Sequence, residues 1–273
     1  MVGEGGQPLT ARSGRVKEAR KLSRRSVRTE RRLFLADGPK AVEGALGARL
    51  PGGEVCAVEV FATGAAAQQY AALRDVAADL GVAWTPVEDH ALATLSDSVT
   101  PAGVVAVCRF LDRPVDQVWE SADLVTICAD VRDPGNAGTV VRTADAAGAA
   151  AVVLAGHSVD AYNAKTVRAS VGSLFHLPVA LAPDPKVVVS QARDAGLTVL
   201  AADGDGETDL FDADDLLRRP VAWLFGNEAW GLPDELAALA DGRVRIPIVG
   251  RAESLNLATA AAVCLYATAR ARH

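Results

Sequence analysis

Residues 124–148 read LVTICADVRDPGNAGTVVRTADAAG. The first eight are an apolar run of strand character, Pro134 and Asn136 stand in the turn that follows, and a helical stretch carries Arg142 and ends near Gly148. The same alternation continues downstream, with strand-like runs at AAVVLAG (150–156), PVALA (178–182), LTVLAAD (197–203), VAWLFG (221–226) and VRIPIV (244–249). Near-continuous apolar strands separated by helices predict an α/β fold built on a parallel sheet covered on both faces.

A parallel sheet of this kind raises the dinucleotide-binding folds first, and their fingerprint is absent. The opening strand-to-helix turn is ADVRDPGNAG, without the glycine pattern that lets a pyrophosphate approach a helix amino terminus. The other candidate, DGDGETD at 203–209, is acidic enough to repel a pyrophosphate. Nicotinamide and flavin oxidoreductases are therefore excluded.

Toward the amino terminus, residues 33–111 form a smaller α/β pattern. LFLADG and VCAVEVFA read as strands around a helix that opens at Pro39, GAAAQQYAALRDVAADLG reads as a helix closed by Gly81, DHALATLSDS as a further helix, and VAWTPV and GVVAVCRF as extended segments. Residues 112–122, with a proline and several charges between two apolar strands, are the expected linker to the second α/β domain at 123–273. Residues 1–32 read as a basic arm. Arg12 to Arg32 holds ten Lys/Arg against two Glu, an excess of +8, which leaves −14 for the rest of a chain whose net charge is −6. Such asymmetry suits either a footprint for phosphate or a solvated tail.

Of the 273 residues, half are hydrophobic, yet no apolar stretch reaches the ~20 residues of a membrane-spanning helix. The amino terminus MVGEGGQPLTARSGR lacks the apolar core of a signal peptide, so no membrane association and a cytoplasmic location are expected. Cys56, Cys108, Cys128 and Cys264 lie far apart in apolar runs, which predicts buried reduced thiols and no metal.

Three stretches of the second half carry polar chemistry. In DPGNAGTVVRTADAAG (133–148), Asn136 and Arg142 are six residues apart, about 240° around a helix. They share a face only if Asn136 lies in the turn, and Arg142 then clamps a phosphate or sugar beside the Asn amide. The plainer alternative is a capping Asn and a surface Arg. In LFGNEAWGLP (224–233), a strand ends at Gly226 and the loop displays Glu228, either a carboxylate that orients a guanidinium or a solvated acid. In IPIVGRAESLNLATAAAVCLYATARA (246–271), Ser254 and Asn256 flank Leu255 where the last helix begins. Capping explains one of them; together they suit a ligand needing hydrogen bonds around an apolar slot.

In this order the three motifs, with DAYNAKTVRASVGSLFHLPV (160–179) between the first two, resemble the SpoU (TrmH-like) branch of the SPOUT RNA methyltransferases over about residues 124–270. The resemblance implies a carboxy-terminal trefoil knot, S-adenosylmethionine as cofactor, a pocket lined by Gly226, Ile246, Leu255 and Ala202, and a homodimer. The stretch LFLADGPKAVEGAL resembles the ribosomal-protein-like RNA-binding domain often fused to such cores. The implied reaction is methyl transfer to an RNA ribose 2′-hydroxyl, in 23S rRNA by preference, with tRNA or a non-catalytic RNA-binding role as alternatives. A guanidinium stays protonated in proteins, so Arg142 is expected to hold a phosphate and stabilise alkoxide charge and not to act as a base. Asn136 would position Arg142 or the ribose, Glu228 would orient the basic group, and Ser254 and Asn256 would fix the last loop and the nucleotide.

Overall fold

The computed structural model describes residues 7–273. In chain order its elements are α1 (Gly14–Arg20), α2 (Arg25–Arg31), β1 (Leu33–Asp37), α3 (Pro39–Gly47), β2 (Ala57–Ala62), α4 (Gly64–Gln69), α5 (Ala71–Asp79), β3 (Ala83–Pro86), α6 (Asp89–Ala93) and β4 (Val104–Arg109). They continue as β5 (Leu124–Ala129), α7 (Pro134–Ala146), β6 (Ala151–Ala155), α8 (Ala164–Ala169), β7 (Val179–Ala182), α9 (Pro185–Asp194), β8 (Thr198–Ala202) and β9 (Thr208–Asp209). The last are α10 (Asp214–Leu217), β10 (Val221–Phe225), α11 (Asp234–Ala237), β11 (Gly242–Arg245) and α12 (Leu257–Arg272). Two units result, one of residues up to Leu111 with Tyr162–His176, the other of Asp112–Ala161 with Leu177–His273.

The first unit is a four-stranded sheet in the order β1-β4-β2-β3, antiparallel except for the β2–β3 pair. The single helix expected from Gly64 to Gly81 is broken into α4 and α5 at Tyr70, whose φ of −111° and ψ of 39° leave the helical region. The amino-terminal arm differs from expectation. Beyond residues 1–6, which lie outside the described residues, it folds as α1 and α2. Val16, Ala19 and Leu22 recur at helical spacing and are buried in a cluster with Leu35, Phe61 and Leu92. The buried Arg28 fixes the corner between the helices, its Nη1 donating to the carbonyls of Leu22 at 2.9 Å and Ser23 at 2.8 Å.

The segment Tyr162–His176, expected within the second α/β domain, also belongs to this unit. Its aromatic side chains explain why. Tyr162 stacks on Phe110 with ring centroids 3.8 Å apart and lies 4.7 Å from Phe34, which also stacks on Phe175. The Tyr162 hydroxyl accepts the Leu111 N–H at 2.7 Å. Gly44 makes room for Phe175, since a Cβ there would stand 2.8 Å from the ring.

The second unit is a seven-stranded sheet in the order β7-β6-β5-β10-β8-β11-β9 with every pair parallel. Strands β5, β6 and β10 are buried along their whole length, which requires helices on both faces. The expected linker at 112–122 is part of this unit, because Val118 and Trp119 are buried in its core. The strand expected over VRIPIV stops at Arg245, where pairing ends and Ile246–Val249 becomes loop. The last helix, α12, packs against α7 and is tied to the sheet by Trp223, whose indole N–H donates to Thr268 at 2.9 Å.

Candidate active site

Ligands of open α/β sheets bind outside the carboxyl ends of the strands. There the loops after β5, β10 and β11 carry the three polar motifs. Asp133 caps α7, its Oδ1 accepting the Asn136 N–H at 2.8 Å, and Pro134 takes the first helical position, where a missing N–H costs nothing. Asn136 is thus the third residue of the helix, not a turn residue as expected.

Glu228 reaches across from the β10 loop. Its carboxylate accepts the backbone N–H of Arg132 at 3.0 Å and of Asp133 at 2.9 Å, and the Asn136 amide at 3.2 Å. Asn256 closes the chain from the third motif. It caps α12, its Oδ1 accepting the Ala258 N–H at 2.9 Å, and its amide donates to Asn136 Oδ1 at 3.0 Å. A carboxylate only accepts and a backbone N–H only donates, so both ends of this network are fixed and neither asparagine can be flipped without breaking it. Partial burial works against the charge on Glu228, but the N–H groups of Arg132, Asp133 and Asn136 outweigh it and hold the carboxyl below the usual carboxylate range. Burial, with the Glu228 charge as a smaller cause, pushes the Cys128 thiol up to about 12, so it stays protonated.

The other expected residues fall around this network unevenly. Arg142 is exposed, has no hydrogen bond or ion pair among the described residues, and is not oriented by Glu228, whose oxygens are committed elsewhere. With Asn136 inside α7, Arg142 stands about 120° from it around the axis. Ser254 is exposed and does not cap α12, a task that Asn256 performs alone. Gly226, Ala202 and Ile246 lie at or just beyond the ends of the neighbouring strands β10, β8 and β11, and Leu255, 37% exposed, precedes α12. Gly226 admits no side chain, because a Cβ would stand 2.3 Å from the Gly231 backbone. Sequence reasoning missed Asp133 and Asn227. The Asp-Pro pair, a capping residue ahead of a first-turn proline, was the signal for Asp133.

All four cysteines are free and buried. Among the described residues, no group of three His, Cys, Asp or Glu could hold a metal ion, and no helix is long and apolar enough to cross a membrane.

The profile of the SpoU rRNA Methylase family matches residues 123–266, and that of the MRM3-like substrate binding domain matches residues 14–106. The 23S rRNA (guanosine(2553)-2'-O)-methyltransferase RlmP of Bacillus subtilis is 32% identical over 94% of this chain and 96% of its own. The 23S rRNA (uridine(2479)-2'-O)-methyltransferase of Streptomyces viridochromogenes is 39% identical over 63% of this chain, a match that spans 61% of that relative. The crystal structure of an AdoMet-bound rRNA methyltransferase from Sinorhizobium meliloti, 33% identical, superposes with a TM-score of 0.83 over 97% of this chain and 98% of that one. Fold and family profile thus define the class, an RNA methyltransferase. The chain belongs to the SpoU rRNA methylase family.

Proposed function

We propose that this chain transfers a methyl group from S-adenosylmethionine to a ribose 2′-hydroxyl of 23S rRNA. The observation that carries this is the Glu228–Asn136–Asn256 network, which joins all three motifs at the carboxyl ends of the parallel strands. Relatives named for a 23S guanosine and a 23S uridine support the substrate class and leave the base open.

The residues fit the cofactor. Among the described residues, no backbone group of residues 246–255 is hydrogen-bonded within the protein, leaving N–H and C=O groups for a polar ligand. Ile248 and Leu255 stand 38% and 37% exposed beside them. Bound there, S-adenosylmethionine supplies an electrophilic sulfonium methyl.

A ribose 2′-hydroxyl is a weak nucleophile near neutral pH, so the chain's part is alignment and relief of charge. Arg142, protonated and unpaired, holds the neighbouring phosphate and stabilises the developing alkoxide, while that phosphate or water takes the proton. Asn136 and Asn256 orient the ribose, Ser254 contacts the nucleotide, and Glu228 secures the loops. Because Asn136 and Arg142 diverge around α7, one copy aims them in different directions. A homodimer in which Arg142 of a second copy meets the network completes the site. RNA is gripped by α1, α2 and the residues flanking them, where the exposed side chains of Arg12, Lys17, Arg20, Arg24 and Arg25 have no partner among the described residues. A cytoplasmic location and the carboxy-terminal trefoil knot complete the reading, the knot supported by membership of the family.

The test is transfer of labelled methyl from the cofactor to total RNA, with mapping of the modified ribose. Label in 23S rRNA is the expected result. Label confined to tRNA would move the substrate, and calorimetric cofactor binding without any transfer would overturn the proposal in favour of an RNA-binding role.

A further inference from the structure

Glu228 reaches Arg132, Asp133 and Asn136 from a loop in which the residue before it is also bonded to the chain just past β5. Asn227 is 5% exposed and uses every polar group it has. Its Nδ2 donates to the Asp130 carbonyl at 2.7 Å, its Oδ1 accepts the Ala229 N–H at 2.8 Å, and its backbone N–H and C=O both pair with Gly231 at 2.9 Å. The far end of this tether is unusual. Asp130 has φ of 57°, a left-handed conformation that residues other than glycine adopt at a cost. Its Oδ1 accepts the His157 N–H at 2.7 Å and its own N–H donates to Ala155 O at 3.1 Å. The chain is therefore turned sharply just past β5, at the residue whose carbonyl Asn227 takes, three positions before the helix cap Asp133.

We propose that Asn227 is a positioning residue for methyl transfer: its bond to Asp130 sets the Gly226–Gly231 loop so that the Glu228 carboxylate meets the amino terminus of α7. One tether thereby serves two edges of the site, Gly226 on the cofactor side and Glu228 with Asn136 on the acceptor side. The assignment rests on the proposed methyl transfer for its consequence in turnover, but the bond itself bears on cofactor binding whether or not RNA is the acceptor.

Calorimetric titration of S-adenosylmethionine into the full chain, well below its melting temperature, reads the tether without any RNA. Asn227→Ala leaves the partly buried Asp130 carbonyl and the Ala229 N–H without their side-chain partners and is expected to weaken cofactor binding by roughly ten- to a hundredfold. Should that variant fail to fold, Asn227→Asp retains the bond from Ala229 but replaces the donor to Asp130 by a charged oxygen that repels its carbonyl; it is expected to weaken binding in the same direction. Asp130→Asn, which tolerates the left-handed backbone and still accepts from His157, is expected to lose less than Asp130→Ala. A merely structural role would lower the melting temperature of folded Asn227 variants and leave the cofactor dissociation constant and kcat at wild-type values, which would overturn the proposal. An inverted order of the two Asp130 variants would also overturn it. Failure of the wild type to methylate RNA would instead count against the proposed function, while the cofactor titration still decides the tether.

Discussion

The Asn256 amide donates to Asn136 Oδ1 at 3.0 Å, joining residues 120 positions apart in the chain at the amino-terminal ends of two helices packed on each other. Each asparagine is already engaged on its other side, Asn136 with Glu228 and Asn256 with the first turn of α12. If the pair acts as one unit, its two truncations are not independent. Asn136→Ala and Asn256→Ala are each expected to lower kcat/KM by roughly ten- to a hundredfold, and the double variant by much less than the product of the two. A double-mutant cycle on methyl transfer measures this; full multiplicativity would show that the contact plays no part in turnover.

Arg142 is exposed and has no partner among the described residues, so removing it breaks no hydrogen bond or ion pair. Arg142→Ala is expected to abolish methyl transfer while the melting temperature and cofactor affinity stay near wild type. Single-turnover assays beside calorimetry separate these, and wild-type turnover in the variant would refute the role. Mixing Arg142→Ala chains with chains lacking Asn136 tests completion across a dimer, since one intact site per mixed dimer should restore part of the activity.

Glu228 gives a pH dependence with a definite sign. Its folded carboxyl is held below the usual range, so the stabilisation is fully present above the unfolded value, about 4.3, and is lost as pH falls through the folded value. The melting temperature of the wild type should therefore exceed that of Glu228→Gln at pH 7, with the gap closing below about pH 4. An equal gap at pH 7 and pH 3 would contradict the assignment of the Arg132 and Asp133 N–H bonds to a carboxylate.

The corner of α1 and α2 predicts a salt effect. Replacing Arg20, Arg24 and Arg25 by Gln should raise KM for RNA at saturating cofactor, leave kcat near wild type, and reduce the slope of log affinity against log salt by about 2. Fluorescence anisotropy with labelled rRNA across salt concentrations measures the slope, and an unchanged slope would remove these three side chains from the interface.

Much of this was legible in the chain itself. The apolar runs at 124–131, 150–156 and 221–226 announced a buried parallel sheet, because strands covered on both faces leave no room for alternation. The polar motifs were legible as types of residue but not as contacts. Glu228 was expected beside a guanidinium and instead accepts two backbone N–H groups, a partner that carries no side-chain signature. Asn136 was placed one element too early because Pro134 was read as a turn and not as the first residue of the helix. In the amino-terminal arm, Val16, Ala19 and Leu22 did show a helical stripe, but the ten cations around them concealed it. Trp119 was likewise hidden among charges whose own side chains stay outside the core it enters.

The placement of Tyr162 and Phe175 bears on how this protein can be taken apart. An expression fragment cut after Leu111 would look complete by chain order, yet it would lack two rings of its aromatic cluster and the hydroxyl that accepts the Leu111 N–H. The complementary fragment would carry those rings with nothing of their own kind to stack on. The amino-terminal unit is therefore not a cassette that can be exchanged between relatives at a single junction. Any chimaera that keeps it must bring residues 162–176 along, so its exchange takes two cuts in the second half of the chain as well as one after Leu111.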